Sequence, residues 1–330
     1  MKIVIITDSN TKKLYGTKLA RELKKYKPLL LSFKAGEPSK NYKTKQYLES
    51  HMLKQRCDRE TIILALGGGV VGDISGYVAA TYMRGISYIQ IPTTLLAMVD
   101  SSIGGKTGIN TPEGKNLIGA YHQPADIILN LNYLKTLPQR HLINGLIESA
   151  KMFMTNNSTL FHYFNTHIDS ILDRDMTRLK KIITGAIKIK QEIVHKDEKD
   201  NNLRAICNFG HTIGHAIENI MGYKIMHGHA VGLGILVEAK IAELLGLLSS
   251  YEYKTIKNLL LKLNISSQSL KKLDINQIIL ATKIDKKVKS NKTRYVLLKK
   301  IGQVLCVDNT YAHIVSDSLV RKAFIKASEV

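Results

Sequence analysis

The sequence predicts an α/β domain with a parallel sheet, followed by a mainly α-helical domain. Three observations carry this. Short apolar, β-branched runs alternate with helical periods through the first 137 residues. A glycine-rich turn, Gly67-Gly68-Gly69-Val70-Val71-Gly72-Asp73, joins one such run to the helical period after it. From Pro138 onward, helical periods succeed one another with few strands between them. Strands that alternate with helices imply parallel pairing with helices on both faces of the sheet. The expected domains are therefore residues 1–137 and 138–330.

Taken in order, residues 2–7 are a short apolar run rich in β-branched side chains and read as a strand. Residues 12–25 read as a helix, 28–33 as a second strand and 43–55 as a second helix. Residues 60–66 form a buried strand that enters the glycine turn and the helix beyond it. Further strands are expected at 86–91 and 126–131. In the second half, helical spacing covers 140–154, 158–171, 174–194, 210–221, 228–247 and 251–263. Residues 294–299 and 303–307 read as a small hairpin.

Composition bounds the function classes. The chain has 330 residues, enough for two domains, and is 44% hydrophobic and 23% charged, as soluble globular proteins are. No apolar stretch reaches membrane-spanning length, since the run at 62–71 is studded with glycines and cut off by Asp73. The first residues run straight into a strand pattern and lack a signal-peptide layout. The three cysteines are too far apart for a zinc pair and odd in number, which favours a reducing, cytoplasmic setting. The formal charge of +21 admits three readings: nucleic-acid binding, a lysine-rich solvated surface, or a field that draws in a small anionic substrate. The lysines are scattered rather than gathered in one block, and composition alone leaves all three open.

The motifs are sharper. His211 and His215 lie one helical turn apart, so they share a helix face, and His227 follows shortly after. Such histidines are either metal ligands and proton carriers or merely buried, hydrogen-bonded side chains. Gly67, Gly69 and Gly72 fit the spacing of a turn whose N–H groups approach a pyrophosphate. The acidic residue usual about 20 positions later is missing. Asp8, at the end of the first strand, is either a carboxylate for a ribose or a helix N-cap. The segment from Pro92 to Thr107 places glycines beside Lys106, with Lys115 and Asn116 shortly after; these suit an anionic ligand or face solvent. Glu148 and Lys151, three apart on a helix, are either a surface ion pair or bring Glu148 to a metal beside His211 and His227.

Five stretches, GGGVVGD at 67–73, PTTLLAMVDSSIGGKTGIN at 92–110, GKNLIGA at 114–120, NFGHTIGHAIE at 208–218 and HGHAVGLG at 227–234, resemble the 3-dehydroquinate synthase family in order and spacing along nearly the whole chain. That family is similar in fold to glycerol dehydrogenases and iron-dependent alcohol dehydrogenases, with an N-terminal nucleotide domain and a helical metal domain. The resemblance implies a soluble enzyme that converts the anionic sugar phosphate 3-deoxy-D-arabino-heptulosonate 7-phosphate to 3-dehydroquinate and phosphate. It implies tightly bound NAD and a zinc or cobalt ion. NAD would take hydride at C5, phosphate would leave by elimination, the hydride would return, and the opened ring would close to a carbocycle. The implied metal ligands are Glu148, His211 and His227. The implied NAD contacts are Asp8, the segment from Glu37 to Lys40, Gly69, Val70, Val71, Gly72, Asp73, Thr93, Thr94, Lys106, Lys115 and Thr136. The implied catalytic residues are Asp100, Lys106, Asn116, Lys151 and His215, with His215 as a proton shuttle. Substrate contacts are expected from Lys115, Lys190, Arg204, Asn208 and one of Lys286 and Lys287. Arg84 corresponds to an arginine that the family lends across a homodimer interface to the substrate phosphate. No nucleic-acid or membrane partner is expected.

Three departures from the family pattern stand out. The chain starts at the first strand, where relatives usually carry a short extra segment. His229 stands where glutamate is commonest and brings a rival imidazole near the metal, expected to point elsewhere if its segment is extended or turning. Gly145-Leu146-Ile147-Glu148-Ser149-Ala150-Lys151 replaces the more usual G-L-A-E-V-I-K and keeps both functional residues. The competing readings are a sister sugar-phosphate cyclase and a metal-dependent NAD polyol dehydrogenase.

Overall fold

The computed structural model describes residues 2–284 and 293–329, which fall into two compact units, Met1–Pro138 and Gln139–Val330. Lys286 and Lys287 lie outside the described residues.

The first unit is built on a sheet of β1 (Ile3–Asp8), β2 (Leu29–Phe33), β3 (Ile62–Gly67), β4 (Tyr88–Pro92) and β7 (Asp126–Ile127), with β5 and β6 as described below. The strand order is β2-β1-β3-β4-β7 and every neighbouring pair is parallel. Alternation along a strand sends successive side chains to opposite faces. Val4 and Ile6 enter one buried cluster with Leu31, Ile63, Ala65 and Ile74, while Ile3 and Ile5 enter another with Leu64, Leu66 and Ile91. Both faces of the sheet are thus covered, as a parallel sheet requires. Helices α1 (Tyr42–Lys54) and α2 (Gly69–Thr81) supply Leu48, Met52, Val71 and Val78 to the first cluster. The expected helix at 12–25 is a string of short pieces, Ser9–Thr11, Lys12–Gly16, Thr17–Glu22 and Lys24–Tyr26, that begins on the Asp8 cap. The strand expected at 126–131 is shortened to Asp126–Ile127, because a turn at Leu131–Lys135 is capped by the Asn130 side chain.

The segment that carries Lys106, Lys115 and Asn116 folds as an antiparallel hairpin of β5 (Lys106–Thr111) and β6 (Gly114–Tyr121), entered through Gly104 and Gly105, both at positive φ. Glycine is needed in this hairpin for approach. A Cβ on Gly119 would fall on the Thr107 carbonyl oxygen, and one on Gly76 of α2 would fall on the Thr107 methyl.

The second unit contains α3 (Gln139–Asn156), α4 (Ser158–Thr166), α5 (Ile168–Leu172), α6 (Met176–Lys196), α7 (His211–Ile220), α8 (His227–Leu244), α9 (Ser250–Lys262), α10 (Ile275–Ile284) and α11 (Asp317–Ser328). α8 is buried along most of its length, including Val231, Ile235, Leu236 and Ile241. The expected C-terminal hairpin forms over its inner part, while its outer end pairs elsewhere. Leu298–Lys300 pairs with Gln303–Val304, while Arg294–Val296 pairs with Ala312–Ile314 further along the chain. No helix among the described residues is long and apolar enough to cross a membrane.

Ile6 lies on the interior strand β1 with no exposure, whereas Leu14 is 55% exposed. Ile6→Ala is expected to cost about 2–5 kcal/mol in urea unfolding. Leu14→Ala should stay within about 0.5 kcal/mol. Equal losses in the two variants would contradict this placement of the core.

Candidate active site

In the second unit, three helices converge. α3 carries Glu148 and Lys151, α7 carries His211 and His215, and α8 begins at His227. Glycines permit the approach. A Cβ on Gly214 of α7 would press on the Val231 backbone of α8, and one on Gly228 of α8 would meet the Asn144 carbonyl of α3. The Gly228 N–H donates to Asn144 Oδ1 at 2.5 Å, which ties the start of α8 to α3.

Glu148 and Lys151 form an ion pair, but not on the surface: their side chains are 0% and 1% exposed. The Nε2 atoms of His211 and His227 stand 3.6 and 3.5 Å from Glu148 Oε1. The other ring nitrogen is engaged in each case. His211 Nδ1 lies 3.2 Å from the Phe209 carbonyl oxygen, and His227 Nδ1 lies 3.2 Å from Glu218 Oε2. A carbonyl and a carboxylate can only accept, so Nδ1 carries the proton in both rings. Both Nε2 atoms are thereby aimed at Glu148.

Burial works against the charge on Glu148, but the Lys151 ammonium and His227 outweigh it and hold the carboxyl well below its usual range. Burial likewise disfavours a charged His227. Hydrogen bonds and charges from Glu148 and Glu218 prevail and push it up to about 10. The Lys151 ammonium holds Oε2, while Oε1, facing the two Nε2 atoms, has no hydrogen bond of ordinary geometry. A buried carboxylate oxygen facing two ring nitrogens is well completed by a cation between them. One donor atom each from Glu148, His211 and His227 lie within 4.8 Å of one another. Two imidazoles and a carboxylate fit a divalent ion and leave a coordination position open. His215, Glu218 and His227 form a second close group, in which Glu218 is the partner of His227 Nδ1.

His215 is half-buried beside this cluster, its ring 5.2 Å from that of His211 and 6.0 Å from that of His227 between centroids. His229 departs from the expected reason for pointing away, because its segment is helical. Two residues on a helix are about 200° apart, so His229 leaves on the opposite side from His227. There it lines a separate cavity with Arg140, Asn144, Met226 and Leu263. Lys190 and Arg204 are buried cations, 7% and 5% exposed. Arg204 Nη1 donates to the Glu198 carbonyl at 2.8 Å, and its backbone N–H donates to Asp197 at 2.9 Å. Asn208 ends the short turn Leu203–Asn208 that leads into α7.

In the first unit, a polar network joins several expected residues. Lys40 pairs with Asp73 and donates to Asn116 Oδ1 at 2.5 Å. Asn110 Nδ2 donates to Glu37 Oε1 at 2.8 Å, and the Asn116 N–H donates to Asn110 Oδ1 at 3.0 Å. Burial pushes the Asp73 carboxyl up, Lys40 opposes this, and the nearby Glu37 and Asp100 add to the rise. The glycine turn rests on Thr93 and Thr94: the Thr93 N–H donates to the Gly67 carbonyl at 2.9 Å, and a Cβ on Gly68 would meet Thr94. α2 begins at Gly69 without a capping side chain, so Gly69, Val70 and Val71 present backbone N–H groups, while the Gly72 N–H donates to the Gly68 carbonyl at 3.0 Å. Asp8 takes the cap role, accepting from Asn10 and Thr11 at 2.8 Å. Thr136 contacts the Tyr15 hydroxyl. Lys106 is exposed and Lys115 half-buried on the hairpin, and Arg84 is exposed on a corner where Met83, Arg84 and Gly85 all have positive φ.

Two residues that the motifs contained were not singled out as site residues. Glu218 lies one helical turn beyond His215, on the same face of α7, and that spacing was available in the sequence. Asn110 closes the segment that carries Lys106, but its bonds to Glu37 and Asn116 come from the hairpin pairing, which the glycine pattern concealed.

Comparison with known proteins follows from this geometry. Residues 30–144 match the family description 3-dehydroquinate synthase N-terminal, and residues 145–288 match 3-dehydroquinate synthase C-terminal. A 3-dehydroquinate synthase of Prochlorococcus marinus (strain MIT 9215) is 42% identical over 330 residues, covering 98% of this chain and 89% of the relative. Among solved structures, 2-epi-5-epi-valiolone synthase of Streptomyces hygroscopicus subsp. jinggangensis 5008, with NAD+ and Zn2+ bound, superposes with a TM-score of 0.89 at 26% identity, covering 99% of this chain and 90% of that one. A 2-deoxy-scyllo-inosose synthase complexed with carbaglucose-6-phosphate, NAD+ and Co2+ gives a TM-score of 0.89 at 27% identity, covering 98% and 90%.

Glu218→Ala removes the acceptor that orients His227. It should weaken cobalt binding by the metal-stripped chain about 10- to 100-fold, the usual cost of losing an outer-sphere partner. An unchanged affinity in direct titration would show that something other than Glu218 holds the ring.

Proposed function

The chain belongs to the 3-dehydroquinate synthase family, and we propose the residues by which it carries out that family's reaction. It converts 3-deoxy-D-arabino-heptulosonate 7-phosphate to 3-dehydroquinate and inorganic phosphate, with NAD and a divalent metal. The observation that carries the site assignment is the convergence of Glu148, His211 and His227 on the buried Glu148 Oε1. The 42% identity to a 3-dehydroquinate synthase, against 26% and 27% to two sister cyclases, supports this substrate over theirs. A polyol dehydrogenase would have no use for a buried set of anion-binding cations such as Lys190 and Arg204.

When bound, NAD supplies a transient hydride acceptor and the divalent ion, zinc or cobalt, supplies Lewis acidity at substrate hydroxyls. Glu148, His211 and His227 are the residues that would hold the ion. The Phe209 carbonyl and Glu218 keep both rings in the tautomer that leaves Nε2 available. Lys151 keeps Glu148 ionised. His215, half-exposed beside the ligands, carries a proton to and from a substrate hydroxyl. Lys190, Arg204 and Asn208 bind the anionic and polar groups of the substrate, joined by Lys286 or Lys287.

The first unit holds the cofactor. The N–H groups of Gly69, Val70 and Val71 face its phosphates, as helix N-termini do, with Gly72 and Asp73 just behind them in the same turn. Asp8, Glu37, Lys40, Thr93, Thr94 and Thr136 contact the remainder. Asp100, Lys106, Lys115 and Asn116 provide charge and amide groups to the reaction. Arg84 serves a neighbouring copy. Its exposed corner and the exposed Leu117, Ile118 and Tyr121 of β6 suit a surface covered by a second copy of the chain.

The direct test is phosphate release and 3-dehydroquinate formation from the heptulosonate phosphate. Both are expected to cease on chelation and to return with zinc or cobalt. Steady release of NADH from a simple polyol, without phosphate release, would favour the dehydrogenase instead. His211→Ala should reduce turnover by more than the roughly 100-fold typical of outer-sphere changes while sparing NAD binding. Parallel loss of both in a folded variant would undo the assignment of cofactor and metal to different units.

Arg84→Ala is expected to raise KM for the sugar phosphate and leave NAD and metal bound. Mixed with His211→Ala under subunit exchange, it should regain part of the activity, since one composite site in each heterodimer would be intact. No regain, with exchange verified, excludes the shared site.

A further inference from the structure

The first N–H groups of α7 present a problem that its own sequence cannot solve. The residue in the capping position is Gly210, at φ 77°, and it has no side chain to accept from the helix. A serine, threonine or aspartate would normally take the N–H of the third helical residue. None fits here. A Cβ on Gly210 would collide with Ile235 and the Val231 carbonyl of α8, and a left-handed φ disfavours any other residue. The same crossing requires Gly234, whose Cβ would fall on the Gly210 carbonyl oxygen. Gly210 and Ile213 are both buried, so water does not serve their N–H groups cheaply.

We propose that Glu238 is a positioning residue for the metal centre: it caps α7 from the neighbouring helix and so sets the placement of His211. Glu238 lies in the middle of α8, fully buried, one turn beyond Gly234. Its Oε2 accepts from the Gly210 N–H at 2.8 Å and its Oε1 from the Ile213 N–H at 3.4 Å. The second bond is the one a local cap would make, because Ile213 is the third residue of α7. A carboxylate there also complements the positive end of the helix. His211 is the first residue of α7, directly between the two N–H groups that Glu238 holds. A shift of this turn moves His211 Nε2 relative to Glu148 and His227. Glu238 touches neither metal nor substrate; it acts through the backbone that carries the ligand.

This inference rests on His211 being a metal ligand, and the experiment separates the two. Wild type, Glu238→Ala and Glu238→Gln are compared as full chains by amide hydrogen exchange without metal and by cobalt titration of the metal-stripped protein. In Glu238→Ala, exchange at the Gly210 and Ile213 amides should accelerate at least about 10-fold more than elsewhere in α7. Cobalt affinity should fall about 10- to 100-fold, with an altered cobalt absorption spectrum. Glu238→Gln keeps an acceptor oxygen and should fall between wild type and alanine. Unchanged exchange at both amides overturns the cap, and unchanged cobalt affinity and spectrum overturn its positioning role. If Glu238→Ala does not fold, Glu238→Gln is read by the same criteria against wild type. Wild type that binds no cobalt defeats the metal reading, while the exchange data still decide the cap.

Discussion

Glycine-lined helix contact is the constraint on which the second unit depends. Gly210, Gly214, Gly228 and Gly234 each stand where a Cβ would strike a neighbouring backbone. With those atoms absent, α7, α8 and α3 approach closely enough for one side chain from each to meet within 4.8 Å. Side chains of ordinary size would hold helices at the usual 8–10 Å between axes. The price of such approach is rigidity in sequence: the start of α7 cannot carry its own capping side chain, and its partner must come from elsewhere. Asn144 serves the start of α8, and Glu238 serves the start of α7.

Buried charge is the second theme, and it depends on the first. Glu148, Lys151, Glu218 and Glu238 are all nearly or fully buried within this helical unit. Each charge is tolerable because another charge or an N–H group has been brought beside it. The set is ordered: Lys151 stabilises Glu148, Glu218 orients His227, and the Phe209 carbonyl orients His211. Removal of any member exposes the charge of its neighbour rather than simply deleting one contact. In the first unit the same logic appears in the chain from Asp73 through Lys40 to Asn116.

Much of the fold was legible because its signals are local. The apolar runs at β1 through β4 and the turn at Gly67–Gly69 need only a few residues to declare strand, turn and helix. Helical spacing in the second half likewise repeats within each segment. The failures were non-local. The stretch from Gly104 to Gly119 does not announce a hairpin by composition, yet Gly108 and Gly119 let its two strands touch, and Gly76 lets α2 approach Thr107. Arg294–Val296 finds its partner in Ala312–Ile314, beyond an intervening hairpin, and no pattern within either strand announces that choice. Asp126–Ile127 stops early because Asn130 caps the next turn.

The candidate site divides in the same way. The sequence by itself determined that His211 and His215 share a helix face and that Glu148 and Lys151 lie within one turn, since helical geometry follows from spacing alone. Motif order also determined the family, because five linked segments constrain far more than any one. Only the tertiary structure decided that the Glu148–Lys151 pair is buried rather than solvated, and that Glu218 belongs to His227. It also decided that His229 turns away: the segment at 227 begins a helix rather than an extended run. The physical reason is that burial and second partners depend on which helices cross and how closely. That distance is fixed by atoms missing from glycines on a different segment of the chain.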